Sequence, residues 1–355
     1  MQIVSMDAHL RYTVAVTEDE QGKNRRRVRI NHSRGAIRDY LSQFEPGTPV
    51  AIEALGSWYW IVDEVEQAGM APMLVNAGKA KAQLGARNKT DNLDAKGLNP
   101  LQRSGTLPTV WIPPSELRDR RELYRTRMYL TRQSTRLKNR ILSTLAKYAL
   151  SDIEVTDRFG RRGREEMAKR FVMLPPNTRI VVNDLLSQLD AHESCIARLE
   201  SQMQEAHLED QGVSILDTLP GVGPVLATVI FCEIGDVHRF PSSGHLAAYA
   251  GLTPRIHSSG GRTRHLSPSP ASNMYLKWAF TEAANIVCLN QSRWPDRHVT
   301  RVYKRIRARK GHGPAIGAVA RHLAEAAFCM LKRGEAYHEP QPARPRTGKR
   351  VPVMS

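Results

Sequence analysis

Four acidic residues and a pair of adjacent hydroxyls are the side chains of this 355-residue sequence whose types and spacing could do chemistry. Asp7 closes an apolar run in VSMDAH, Glu53 closes another in VAIEAL, and Asp91 and Asp94 share KTDNLDAKGL. The three-residue spacing of Asp91 and Asp94 places both on one face of a helix. Charged residues at the C-terminal edges of strands pack poorly but suit a site. Four carboxylates converging from two strands and a helix would repel one another strongly unless cations bound them. Such an all-oxygen donor set fits Mg²⁺ (or Mn²⁺), and two such ions about 4 Å apart can hold the attacking and leaving oxygens of a phosphodiester. Taken singly, each acid reads as a solvated surface charge; their joint placement is what makes a metal set the expectation. Cys195, Cys232, Cys288 and Cys329 lie far apart, with no C-x-x-C or Cys/His pairing, and are expected to be reduced, buried and structural.

The hydroxyls sit in RIHSSGGRTR, where Ser258 and Ser259 precede Gly260 and Gly261 and are flanked by Arg255, Arg262 and Arg264. Ser and Gly are turn formers, and no G-x-S-x-G elbow surrounds them. From the residues alone, a nucleophile and a phosphate-holding loop both stay open. The arginines would neutralise a phosphate or merely share the general basicity; Arg87 and Lys89, just before the acidic pair, carry the same two readings. A second motif, LDTLPGVGPVLATVIFCEIG at 216–235, describes a helix-hairpin-helix element. Gly221 and Gly223 would let the chain turn tightly and bring backbone N–H groups to a phosphate at a helix N-terminus. That contact positions nucleic acid without reading bases; the alternative is a helical turn whose glycines serve packing.

The charge balance favours a polyanion as partner. Fifty-two Lys and Arg face 35 Asp and Glu, a net charge of +17, while the hydrophobic fraction of 41% is ordinary for a globular chain. An anionic membrane surface is the rival, weakened because no apolar run reaches the roughly 18 residues a spanning helix needs. No signal peptide is expected ahead of MQIVSMDA, so a cytoplasmic protein is anticipated.

These residues must be held by a scaffold. Residues 2–6, 11–17 and 26–30 alternate or run apolar and read as a three-stranded antiparallel meander. Ser33 would cap a helix running through Phe44, 49–54 and 71–76 read as buried strands, and WYWIVDEVEQAG as the helix between them. The resulting order, β-β-β-α-β-α-β-α, suits a mixed sheet covered by helices and matches ribonuclease-H-like folds, Holliday-junction resolvases included. After Pro113-Pro114 the character changes. Leu123, Leu130, Leu137, Ile141 and Leu145 form one helical stripe, and Val182, Leu185, Leu189, His192, Ile196, Leu199 and Met203 another. They read as a long antiparallel helical hairpin or a coiled coil between subunits. The expected fold class is therefore α/β plus α. A ribonuclease-H-like domain is expected at 1–112, a helical coiled-coil or oligomerisation region at 113–212, a C-terminal helical domain with the helix-hairpin-helix and serine loop at 213–335, and a basic, disordered tail at 336–355 that could touch a phosphate backbone.

Over nearly its whole length the sequence resembles the DEDD-type transposases of insertion sequences, which are related to the pilin-gene DNA invertases. The residues that carry the resemblance are MDAH, IEA, KTDNLDA, the helical middle, LPGVGPVLA and YAGLTPRIHSSGGRTR, in that order. It implies that Asp7, Glu53, Asp91 and Asp94 form a metal-binding catalytic tetrad and that Ser259 is the nucleophile attacking DNA phosphorus, with Ser258 in reserve. It also implies donor and target DNA, a structured non-coding guide RNA and a homo-oligomer, dimer or tetramer, as partners. The segment LSPSPASNMYLKWAF keeps Asn273, Tyr275 and Leu276 but replaces the family's usual Gly- and Lys-containing stretch with prolines and serines, which bears on the loop after Arg264.

The implied mechanism joins two regions far apart in sequence: metal-bound carboxylates polarise a phosphodiester and an activated serine captures it covalently. Two other readings stand beside this recombinase. One is a metal-dependent junction resolvase in which the serines are structural; the other is a non-catalytic nucleic-acid scaffold with a steep salt dependence.

Overall fold

The computed structural model describes residues 2–54, 56–84, 98–259, 262–266 and 271–340, with the backbone alone for 206–209, 256–259 and 262–266. The chain divides into two compact units, Met1–Ser115 and Glu116–Ser355.

The first unit is built on a five-stranded sheet of order β3-β2-β1-β4-β5. β1 (Gln2–Ala8), β2 (Tyr12–Asp19) and β3 (Arg26–Asn31) form the expected antiparallel meander, and β4 (Pro49–Glu53) and β5 (Ala71–Val75) continue it parallel to β1. Side-chain alternation along each strand sends residues to two faces. Val4, Met6, Val50, Ile52 and Leu74 meet α1 (Ala36–Leu41) and α2 (Trp58–Gln67) in the larger core. Ala51 and Val75 face the other way, against Ala80 of α3 (Ala77–Leu84), Leu98 and Leu101 of α4 (residues 98–103) and Leu107. Ser33 does not cap α1. The first N–H groups of that helix go instead to the buried carboxylate of Glu64 on α2, which accepts from Gly35 at 2.5 Å, Ile37 at 2.9 Å and Arg38 at 3.3 Å. Such orphan donors need some acceptor, and here it comes from a residue remote in sequence.

The second unit opens with a helical arm. α5 (Ser115–Ala146) and α7 (Pro176–Glu209) run antiparallel. Arg127 pairs with Glu200 at 2.5 Å, Lys138 with Glu193 at 2.9 Å, and Tyr148 Oη lies 3.1 Å from Thr178 Oγ1, so positions rise along one helix as they fall along the other. Of the two arrangements expected for this region, a hairpin within one chain is therefore present. α6 (Arg161–Phe171) closes its tip, where Ile141, Leu145, Met167, Phe171 and Val182 form a small core. Leu123, Leu130 and Leu137 are only half-buried. The inward spine of the first half of α5 is instead Arg118, Arg121, Tyr124 and Met128, because that half packs into the C-terminal core.

That core gathers α8 (Gln211–Asp217), α9 (Pro224–Ile234), α10 (Ser243–Tyr249), α11 (Met274–Leu289), α12 (His298–Lys310) and α13 (His312–Arg333). Ala279, Ala283 and Ala284 of α11 and Ala320, Ala324 and Ala327 of α13 are fully buried, their small side chains letting the helices approach closely. Between α10 and α11 the serine stretch, expected as an extended loop, is an antiparallel β-hairpin of β6 (Arg255–Ser259) and β7 (Arg262–Leu266). The cysteines depart from the expectation of uniform burial: all four are free thiols, and Cys232 is buried whereas Cys195 and Cys288 are partly exposed and Cys329 exposed.

Candidate active site

Asp7 and Glu53 are neighbours. β1 and β4 pair in parallel as far as Met6 opposite Ile52, and the next residue of each strand is an acid. Adjacent strands lie about 4.8 Å apart. Alternation puts both carboxylates on the face of Ala51, opposite the Met6–Ile52 core, and both are buried, with 4% and 7% of their surface exposed. Two carboxylates held side by side with little water repel each other unless countered by positive charge. Partial answers come from Lys81 of α3, whose Nζ lies 3.9 Å from Glu53 Oε1, and from His9, whose Nε2 lies 3.3 Å from Asp7 Oδ2. His9 Nε2 is nevertheless buried without a well-aligned hydrogen bond. Neither His9 nor Lys81 stood out in the sequence, although His9 lies two residues from Asp7.

Hard oxygen donors, buried and adjacent at the C-terminal ends of parallel strands, fit a divalent cation. Among the described residues no group of three or more His, Cys, Asp or Glu side chains is arranged to hold a metal ion. The remaining expected ligands, Asp91 and Asp94, and the expected phosphate contacts Arg87 and Lys89, lie outside the described residues.

In the second unit the hairpin register sets Ser259 opposite Arg262, Ser258 opposite Thr263, His257 opposite Arg264 and Arg255 opposite Leu266. This brings the candidate nucleophiles and all three flanking arginines onto one two-stranded ribbon. Gly260 and Gly261, the two residues separating the last pair, are outside the described residues; a Gly-Gly pair between short extended runs is itself a hairpin signal that a loop reading overlooks.

The roots of this hairpin are fixed tightly. Asn273 caps α11, its Oδ1 accepting from the N–H groups of Tyr275 and Leu276 at 3.0 Å each. Its own N–H donates to Tyr249 O at 2.7 Å, and its Nδ2 donates to Glu233 Oε2 at 2.7 Å. At the other root Gly251 has φ +67°, and a Cβ there would lie 2.5 Å from Ser272 Oγ. Glu233 is the hub of this arrangement. It is completely buried near the end of the apolar helix α9 and accepts from Tyr124 Oη at 2.8 Å and Arg125 Nε at 2.9 Å. Arg121 clamps the same turn by donating to the carbonyls of Cys232 at 3.0 Å and Glu233 at 3.1 Å. Burial, reinforced by the Glu233 charge and hydrogen bond, raises the Tyr124 phenol far above its ordinary pKa. Burial alone would lower the Arg125 guanidinium, but Glu233 more than offsets it and keeps the group charged. Sequence reading missed this network; its one signal was a lone carboxylate inside VLATVIFCEIG.

The segment read as a helix-hairpin-helix consists of α8 and α9 joined by a short turn, and the two glycines of that turn differ. Gly221 has φ +79°, and a Cβ there would sit 2.2 Å from the carbonyl oxygen of Ala283, so close packing on α11 excludes any side chain. Gly223 precedes α9 in extended geometry, with no neighbour within 4 Å of a built Cβ.

The mixed five-stranded sheet with covering helices and paired acids at its strand ends defines an α/β unit compatible with a ribonuclease-H-like domain, followed by a helical unit carrying a serine hairpin. Two family models match the chain in that order: a DEDD-type IS110 transposase model over residues 4–150, and the Transposase IS116/IS110/IS902 family over residues 213–299. A probable family 20 transposase of Pseudomonas aeruginosa is 28% identical over 273 residues, covering 74% of this chain and 79% of the relative. The transposase for insertion sequence element IS1111A of Coxiella burnetii is 27% identical over 250 residues, 70% of this chain and 68% of its own length. An insertion element IS110 protein of Streptomyces coelicolor is 37% identical over a shorter stretch of 166 residues, 46% of this chain and 40% of its own. The chain belongs to the DEDD-type IS110 family of insertion-sequence transposases. Among the described residues no helix is long and apolar enough to cross a membrane.

Proposed function

We propose that this protein is a DNA transposase that cuts and rejoins strands with a carboxylate-bound divalent cation and a serine nucleophile. The observation that carries the reading is the placement of Asp7 and Glu53 side by side, buried, on the neighbouring parallel strands β1 and β4. Asp91 and Asp94 complete the donor set in this proposal. It is supported by the packing of α3 and α4, which flank their segment in sequence, on the sheet face that bears Asp7 and Glu53. When bound, Mg²⁺ or Mn²⁺ would supply Lewis-acid stabilisation of charge on the phosphodiester oxygens. The chain's own groups do the rest. Ser259 Oγ forms a bond to phosphorus as the bond from phosphorus to the 3′ oxygen breaks, and the serine proton passes to that departing oxygen. The phosphodiester energy is thereby kept in a phosphoserine, which a 3′ hydroxyl can attack to rejoin a strand. Arg255, Arg262 and Arg264 share the ribbon with Ser259 and would offset phosphate charge; Ser258 is the reserve nucleophile. The α8–α9 turn is assigned a backbone contact through Gly223, with Gly221 serving packing.

The family resemblance supports donor and target DNA, and a structured non-coding guide RNA, as partners. The proposed division of labour gives 1–112 metal-dependent chemistry, 113–212 oligomerisation and 213–335 serine chemistry, in a dimer or tetramer. The test is cleavage of element-end and junction DNA with and without Mg²⁺. Wild type should cut only with the metal, Asp7→Asn and Glu53→Gln should lose cutting, and Ser259→Ala should form no joined product. Full cutting and joining by Ser259→Ala would replace this reading with the metal-only resolvase.

A further inference from the structure

We infer that α12 presents a second, sequence-independent binding surface for a nucleic-acid duplex, made by an arginine-rich face that takes phosphodiester groups along the backbone. The inference rests on the reading that the chain handles nucleic acid, but it concerns a surface almost wholly beyond the matched transposase segment, which ends at residue 299.

α12 reads HVTRVYKRIRARK, and its two sides differ completely. Val299, Thr300, Val302 and Tyr303 are buried in the C-terminal core and Ile306 is half-buried. At 100° per residue the opposite face carries Arg301, Lys304, Arg305 and Arg309, all exposed, around the small exposed residue Ala308. Half-buried Arg297 extends the row by one turn at the helix start, where it stacks 4.8 Å from the Trp294 ring centre. Arg297, Arg301, Arg305 and Arg309 thus recur every fourth residue over about 18 Å of helix axis.

Within the fold one carboxylate meets the start of this helix, that of Glu339, which accepts from the His298 N–H at 2.9 Å; the row beyond it is not matched in the same way. From Arg297 to Ala324 the sequence contains no Asp or Glu, and among the described residues none of Arg301, Lys304, Arg305 and Arg309 ion-pairs with a carboxylate. Arg301 donates to the backbone carbonyl of Asp296. Like charges four residues apart destabilise a helix. Cations near a helix C-terminus are favoured by the macrodipole, which explains Arg307, Arg309 and Lys310, but the same dipole disfavours Arg297 and Arg301 at the opposite end. A charge row that opposes the stability of its own helix calls for an external counter-charge. A lipid surface does not fit, because an interfacial helix inserts its apolar face and that of α12 is already buried in the core. A polyanion with regularly spaced charges fits both the length and the periodicity. Ala308, at the centre of the face, leaves room for the backbone to approach.

The test is equilibrium binding of the full-length protein, without divalent metal so that no strand is cut, to a 20-base-pair DNA duplex and to an RNA duplex of the same sequence over a salt series. Each phosphate contact contributes about 0.9 to the log–log salt slope on duplex DNA. Replacing Arg301, Lys304, Arg305 and Arg309 together by Gln should lower the slope by about 3 to 4 and weaken binding at low salt at least tenfold, with the melting temperature unchanged or raised. A control loses the same charge on the helical arm, with Arg158, Arg161, Arg162 and Lys169 changed to Gln, and should keep the wild-type slope. A larger slope loss with one duplex identifies that nucleic acid as the source of the phosphates. An unchanged slope in the α12 variant, or an equal fall in the control, overturns the inference and leaves the strand-cutting proposal standing. Failure of the wild type to bind either duplex overturns both, whereas slope loss in a protein that never cuts DNA removes only the catalytic proposal.

Discussion

Replacing Glu233 by Gln should destabilise the C-terminal unit severely although side-chain volume is nearly unchanged. The carboxylate is fully buried and receives Tyr124 Oη at 2.8 Å, Arg125 Nε at 2.9 Å and Asn273 Nδ2 at 2.7 Å, with Arg121 Nε 3.8 Å away. An amide removes the charge that neutralises two guanidiniums and turns one acceptor into a donor that faces other donors. Breaking a buried ion pair by removing one partner costs about 3–5 kcal/mol. Arg125 keeps a quarter of its side chain exposed, so solvent relieves part of its loss and the lower half of that range is expected. For a unit of this size each kcal/mol moves the melting temperature by about 2–4 °C, which gives a fall of roughly 6–16 °C in the transition of the C-terminal unit by calorimetry. Asn273→Ala should cost about 2–4 kcal/mol, from the lost helix cap and one charge-assisted hydrogen bond. The double variant should show a coupling above about 1 kcal/mol because the two residues touch. A shift below 2 °C for Glu233→Gln, or strict additivity with Asn273→Ala, would refute the assignment of Glu233 as the hub that fixes the hairpin root.

Two further predictions follow from local geometry. Gly221→Ala must hold a Cβ at positive φ and 2.2 Å from the Ala283 carbonyl, so it should lose about 2–5 kcal/mol in denaturant titration, whereas Gly223→Ala should change stability by no more than about 0.5 kcal/mol. His322 is held below the ordinary histidine pKa, chiefly by burial and further by His298, Arg305 and Arg321, with Glu325 opposing. The unfolded chain therefore takes up that proton more readily than the folded one, and stability should decline as pH falls through about 6.5. Denaturation midpoints at pH 7.5 and 5.5 should differ less in His322→Gln than in wild type.

The first unit was legible in the sequence because its strands carry simple period-2 patterns and are bounded by turn residues; β1 to β5 fall where the apolar runs fall. The cap of α1 was not, since Glu64 reaches Gly35 from another helix and no local window contains that contact. The stripe of α7 was readable, but the leucine stripe of α5 misled. Arg121 and Tyr124 are buried because Glu233, more than a hundred residues away, supplies their partner. Within the candidate site, Asp7 and Glu53 were legible as acids ending apolar runs, and the parallel pairing that makes them neighbours required the fold. The serine hairpin hid behind its Ser and Gly content, which signals turns more strongly than its short flanking strands signal pairing.

The central claim is tested most directly by trapping the protein on a nicked or suicide DNA substrate with Mg²⁺ and mapping the crosslinked peptide by mass spectrometry. A DNA-phosphate adduct on Ser259 that disappears in Ser259→Ala, and also in Asp7→Asn, is the expected result. An adduct that survives Ser259→Ala, or one that forms unimpaired in Asp7→Asn, would contradict the joint action of the two sites.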